Sequence, residues 1–153
     1  MRRSYRTGDL PSGASRGSSK AARPRSAVSS RSSTNRPADV RVKRVYEPAD
    51  SEDGYRVLVD RVWPRGVSRD RAAVDEWLRD AGPSDELRKW FGHRPERWPE
   101  FVRRYEAEIR DRPEIVDELI ERAGPTLTLV YSARDEEHNQ AVALAAFLRR
   151  RIA

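Results

Sequence analysis

Asp60, Ser132 and His138 are the side chains of this sequence best suited to reaction chemistry. An aspartate can act as a base or orient an arginine. A serine offers a hydroxyl, and a histidine transfers protons near neutral pH. Arg61, Arg65, Arg88 and Arg134 are suited to holding an anion, because a guanidinium makes planar, bidentate bonds to phosphate or carboxylate. Ser84 and Asn139 add polar groups, and Trp63 and Tyr131 supply aromatic walls. Together they describe a pocket for a small anionic molecule, such as a nucleotide or a phosphorylated or carboxylated metabolite. Each residue also has a structural use. Asp60 and Arg61 can tether loops, Trp63 can fill a core, Ser84 can cap a helix, and His93 and His138 can be hydrogen-bonded surface histidines.

Several chemistries are excluded or unsupported. Cysteine is absent, which removes thiol nucleophiles, disulfides and cysteine-ligated metals. Only two histidines are present, and no metal-ligand spacing occurs. No Ser–His–Asp order or phosphate-cradling glycine loop is found, since Gly66, Gly82 and Gly92 stand alone. Neither a metal nor a cofactor is implied. No apolar run approaches the roughly 18 residues of a membrane helix, and no membrane partner is expected.

The elements that must position these residues follow from patterning. Val40–Tyr46 has strand composition, and Tyr55–Val62 centres on Val57-Leu58-Val59, apolar on both faces as in a buried parallel strand. Pro64 and Gly66 stop it. Ser68 caps a short helix through Ala72, and Val74–Arg79 fits either a helix or a strand, with the strand preferred. Ser84 caps a helix that Gly92 ends. Trp98–Arg110 and Pro113–Ala123 carry apolar residues at helical spacing. Thr126–Tyr131 is a strand, and Glu136–Ile152 a helix that places His138 and Asn139 in its first turn. Strands separated by helices predict an α/β fold, a small, mostly parallel sheet of three or four strands flanked by helices. Ligands of such sheets sit beyond the carboxyl ends of the strands. The segments Asp60–Gly66, Ser84–Lys89 and Tyr131–Asp135, followed by His138 and Asn139, converge on that rim. There the helix N-termini at Ser84 and Asp135 add N–H donors.

The formal net charge of +6 is unevenly placed. Residues 1–39 hold nine basic and two acidic residues and ten of the fourteen serines, whereas residues 40–153 carry a net charge of −1. The first segment has too few apolar residues to fold and reads as a disordered Arg/Ser-rich tail; residues 40–153 form a single α/β domain. The tail is a solvated extension or start-site artefact, a targeting peptide, or an arm that binds nucleic acid through its phosphates. The net charge of the domain makes it a poor polyanion binder by itself.

The string Asp60-Arg61-Val62-Trp63-Pro64-Arg65-Gly66, with Lys43-Arg44-Val45-Tyr46, Pro83-Ser84, Glu86-Leu87-Arg88 and Tyr131-Ser132-Ala133, resembles the YeaO-like branch of the domain-of-unknown-function 488 family. The resemblance spans about Val40–Arg150. It implies a small bacterial or archaeal, soluble, cytoplasmic α/β protein and no established reaction. Another branch of that family carries a Cys at the end of the last strand and a Cys-His-Arg string at the next helix. The corresponding places here look like Ser132 and His138-Asn139-Gln140, so a thiol mechanism is out of reach, while a shared polar pocket is left open.

Three uses remain open on the sequence. The first is an enzyme, or a binding domain derived from one, that takes a small anion with Asp60, Ser132 and His138 at its centre. The second is a nucleic-acid-binding accessory protein using the tail. The third is a non-catalytic protein-interaction module, which an exposed cluster of Trp63, Trp77 or Trp90 would mark.

Overall fold

The computed structural model describes residues 37–153, and the fold is built around a strongly apolar strand, Thr126–Tyr131. Four strands form the sheet: β1 (Asp39–Arg44), β2 (Tyr55–Leu58), β3 (Glu76–Trp77) and β4 (Thr126–Tyr131). Their order is β1-β4-β2-β3, and every pairing is parallel. β4 lies between β1 and β2, with Leu129 opposite both Val42 and Val57. That central position explains why five of its six residues are buried.

Several boundaries differ from the sequence reading. β2 ends at Leu58 rather than Val62; Val59 still donates to the Val130 carbonyl at 3.0 Å, and the chain then leaves the sheet at Asp60. The strand expected at Val74–Arg79 is reduced to two residues. The segment read as tail lies outside the described residues except at 37–39. There Ala38 and Asp39 donate to the Pro125 carbonyl at 2.9 and 3.2 Å, so the ordered backbone begins before Val40.

Five helices connect and cover the strands: α1 (Arg69–Ala72), α2 (Asp85–Phe91), α3 (Trp98–Arg110), α4 (Pro113–Arg122) and α5 (Gln140–Ile152). Ser68 and Ser84 cap α1 and α2 as their positions suggest, accepting from the Arg71 and Leu87 N–H groups. The apolar stripes of α3, α4 and α5 all face inward: Phe101, Tyr105 and Ile109, then Val116 and Leu119, then Ala141, Leu144, Ala145 and Leu148. They pack with Val57, Val59, Leu127, Leu129 and Tyr131 from one face of the sheet. The opposite face presents Leu58 and Val130, covered by Trp63, Val67 and Ala72 of the β2–β3 connection and by Trp77 of β3.

This second face also holds a buried polar cluster. Arg56 and Asp53, only 4% and 5% exposed, pair at 2.6 Å, and Lys43 joins Asp53 at 3.1 Å. The remaining Arg56 donors reach the Ala72 and Ala73 carbonyls at 2.8 Å, which ties α1 to the sheet. Burial by itself would raise the Asp53 carboxyl. Hydrogen bonds from the Asp50 N–H, Lys43 and Arg56 outweigh it and hold the group below the usual carboxylate range. Gly54, at φ +67°, makes room for this corner: a Cβ there would stand 2.4 Å from the Thr126 carbonyl oxygen.

Trp63 and Trp77 meet edge to face at 5.3 Å and are each partly covered, and Trp90 lies beneath Arg97 and Arg104. The large apolar residues exposed among those described are Tyr46 and Val62, not a tryptophan cluster. Across the edge strand β1, Arg149 of α5 donates to the Val40 carbonyl through Nε and Nη2 at 3.1 and 2.5 Å. No helix among the described residues is long and apolar enough to cross a membrane.

Candidate functional site

Because all four strands run the same way, the chain leaves β2 and β4 on one rim. A cleft of about 220 Å³ opens there. Asp60, Arg61 and Val62 line it from the end of β2, and Ser132 and Ala133 from the end of β4. Pro83, Arg88 and Phe91 enter from α2 and the turn before it. The segment leading into α5 contributes His138, Asn139 and Gln140, and His93 and Phe101 complete the wall.

Among the described residues Asp60 is the only carboxylate lining this cleft, and it is 7% exposed. The Ser132 hydroxyl donates to Oδ2 in a short bond, and Gln140 Nε2 donates to Oδ1 at 2.6 Å. Its backbone carbonyl accepts from Trp77 Nε1 at 2.8 Å, which fixes the turn out of β2. Among the described residues no cation pairs with this carboxylate. Burial raises its pKa, opposed by the hydrogen bonds from Ser132 and Gln140, and the outcome is a carboxyl above the usual range. The site thus holds a carboxylate whose negative charge is only partly compensated.

The surrounding groups are held by backbone contacts. Arg61 donates through Nε to the Pro83 carbonyl at 2.8 Å and through Nη2 to the Gly82 carbonyl at 3.0 Å. Gly82 permits this approach, since a Cβ there would lie 3.1 Å from the Arg61 nitrogen. Arg44 donates through Nε to the Ala133 carbonyl at 2.8 Å and holds the end of β4 in place. The Arg88 guanidinium is half exposed and meets only Asp85, at 3.2 Å.

α5 starts at Gln140 rather than Glu136, and this changes the roles of its first residues. Asp135 closes a tight turn instead of a helical one: Oδ1 accepts from the Glu137 and His138 N–H groups at 2.9 and 3.0 Å. Its Oδ2 meets His138 Nδ1 at 2.9 Å, and the His138 ring sets its edge against Trp98 at 5.2 Å. The bonds from the Glu137 N–H and from His138 hold the Asp135 carboxyl below its usual range. Asn139 is the N-cap: Oδ1 accepts from Val142 at 3.0 Å, while Nδ2 donates to the Asp135 carbonyl at 2.9 Å. With both ends of its amide committed, Asn139 serves the cleft as a wall. The Ser132 proton points to Asp60 and the His138 ring to Asp135, so no Ser–His–Asp relay forms.

The cleft therefore brings together Asp60, Arg61, Arg88, Ser132, His138 and Asn139 of the residues singled out from sequence. It does not include Arg65, Ser84, Arg134, Trp63 or Tyr131. After Val62 the chain crosses to the opposite sheet face, where Trp63 donates to the Val67 carbonyl at 2.6 Å and packs on Trp77. That path carries Arg65 to an exposed turn. Ser84 is a cap tied to Glu108 at 2.6 Å, Tyr131 is 2% exposed in the main core, and Arg134 is exposed. Gln140 and His93 are cleft residues that sequence reasoning missed. A helix begun at Glu136 hides Gln140 in its second turn; the Asn139 cap signal, if preferred, puts it at the rim. Among the described residues no group of three or more His, Cys, Asp or Glu is placed to hold a metal ion.

Comparison with known proteins agrees with this architecture. Residues 39–153 match DUF488-N3i, described as the inactive DUF488-N3 subclade. The uncharacterized protein Rv3073c of Mycobacterium tuberculosis is 42% identical over 109 residues, which cover 71% of this chain and 92% of that protein. The uncharacterized protein YeaO of Escherichia coli is 42% identical over 112 residues, 72% of this chain and 97% of the relative. No solved structure matches the chain. A match across the whole described fold, together with relatives of this identity, makes the chain a member of the DUF488 family, in its YeaO-like branch.

Proposed function

We propose that the cleft binds a small anionic molecule, phosphorylated or carboxylated, and that it recognises this ligand without turning it over. The observation that carries the reading is the convergence of Arg61 and Arg88 with Asp60, Ser132 and His138 in one cleft at the strand ends. Arg88 has a solvent-exposed guanidinium free to trade its weak contact with Asp85 for a stronger anion. Arg61 is pre-set by its two carbonyl contacts, which lowers the entropy lost on binding. The volume of about 220 Å³ lies below the roughly 300–1,000 Å³ typical of drug-sized ligands, so a metabolite smaller than a dinucleotide fits best.

Two features favour recognition over catalysis. Ser132 and Asp60 bond to each other with no histidine in line, and the subclade to which the chain belongs is described as inactive. Asp60, Ser132 and His138 then read the polar groups of the ligand rather than transform it.

The test is thermal unfolding of the full chain against inorganic phosphate and small phosphorylated and carboxylated metabolites. A ligand present at a hundred times its dissociation constant adds about 2.7 kcal/mol to stability. The expected result is a raised melting temperature that Arg88→Gln abolishes. A panel without any shift, or a shift that Arg88→Gln leaves intact, overturns the reading.

A further inference from the structure

The cleft presents opposite charges that the protein does not pair with each other. Asp60 is 7% exposed and takes its hydrogen bonds from neutral donors alone, the Ser132 hydroxyl and N–H and the Gln140 amide. The two carboxylate oxygens together offer about four acceptor positions, so capacity remains. A buried carboxylate without a cation is costly, and proteins usually close such a site with Lys or Arg. Here the two arginines of the cleft are used otherwise: Arg61 holds the Gly82 and Pro83 carbonyls, and Arg88 faces Asp85. Apolar surface from Phe91, Phe101 and Ala133 lies in the same cleft.

We propose that the ligand is a small zwitterion of the amino-acid or aminoalkyl-phosphate class. Its ammonium group meets Asp60, its carboxylate or phosphate meets Arg88 and Arg61, and its carbon skeleton lies on Phe91 and Phe101. This rests on the anion-binding reading above and adds the second charge. An ammonium supplies three donors in a compact group, which suits the unused acceptor positions of Asp60 better than another guanidinium. Ser132 and Gln140 fix the direction of the carboxylate before the ligand arrives, so little ordering remains on binding.

The experiment compares zwitterions with the same molecules lacking one charge. Calorimetric titration and thermal shift of the full chain would use the standard amino acids and O-phosphoethanolamine. Their partners are the deaminated acids (for leucine, 4-methylpentanoate), ethyl phosphate, and the matching amines such as 3-methylbutylamine. At least one zwitterion is expected to bind about tenfold or more tightly than its deaminated and de-anionised partners, the size of a charge-assisted hydrogen bond. Asp60→Asn is expected to bring that zwitterion to within about twofold of its deaminated partner, because the amide keeps the shape without the charge. Deaminated acids or ethyl phosphate binding as well as the zwitterions would overturn the proposal and leave the anion reading standing. An amine binding as tightly as its zwitterion would overturn it too. No response to any zwitterion, acid or phosphate would remove both. The wild-type comparison decides the matter even if Asp60→Asn fails to fold.

Discussion

Asp53 and Asp60 flank the two ends of β2 and are almost equally buried, yet they are treated in opposite ways. At the amino end, Asp53 takes Lys43, Arg56 and a backbone N–H, and its carboxyl lies below the usual range. At the carboxyl end, Asp60 takes only neutral donors and its carboxyl lies above that range. Equal burial therefore says nothing about role; the partners do. The first end is closed by the protein's own charges and holds the fold together. The second is completed only in part and opens to a cleft, the pattern expected where affinity for something external is kept in reserve.

The contrast can be broken most strongly at the closed end. Asp53→Ala strands the buried Arg56 and Lys43 charges and should cost about 3–5 kcal/mol, read from urea unfolding. A loss below about 1 kcal/mol would mean that the cluster is not the anchor described. Ser132→Ala removes the hydroxyl donor from Asp60 and should cost about 2 kcal/mol, measured in the same way.

Asp60→Asn should stay within about 1 kcal/mol of the wild type, despite burial equal to that of Asp53. Its sign depends on pH. A raised folded-state pKa means that the native protein binds the proton more tightly than the unfolded chain. Stability from this group is then fully present below the unfolded pKa and is lost as pH rises through the folded one. Asp53 behaves inversely: its contribution is present above the unfolded pKa and disappears as pH falls through the folded value. Asp60→Asn should thus gain on the wild type as pH rises from 4 to 8, while the deficit of Asp53→Ala shrinks below about pH 4. Parallel unfolding series at several pH values check both, and equal pH trends would dissolve the comparison. The smallest stability effect belongs to Arg88→Gln. Its exposed pair with Asp85 predicts a change under about 1 kcal/mol, so that loss of ligand response in this variant reports on binding alone.

The architecture was legible where local pattern and packing agree. Val57-Leu58-Val59 and the run from Leu127 to Tyr131 announced buried parallel strands, and the spacing of Phe101, Tyr105 and Ile109 announced the inward face of α3. Strand direction then pointed to Asp60 and Ser132 without further information. The departures from the sequence reading share a physical origin. Arg65 and Trp63 depend on which side of the sheet the chain takes after Val62, and that is decided by Trp63 packing on Trp77, a contact no local spacing encodes. The start of α5 was misread because Asp135-Glu136-Glu137 is a good first turn for a helix. The Asp135 side chain instead closes its own turn, and Asn139 caps the helix four residues later. Local chemistry there offers two solutions of similar cost, and the Asp60–Gln140 bond favours the second.

The outer strands of the sheet bear on how this protein meets its own kind. An open parallel sheet has two edges whose unpaired amides invite strand addition from another chain. Here one edge is only Glu76–Trp77, too short to template a partner. The other, β1, carries Arg41, Lys43 and Arg44, and the Arg149 guanidinium occupies the Val40 carbonyl. An incoming strand would have to displace that cation from the carbonyl it occupies. Resistance to aggregation is thus written into both borders of the sheet, by brevity on one side and by positive charge on the other.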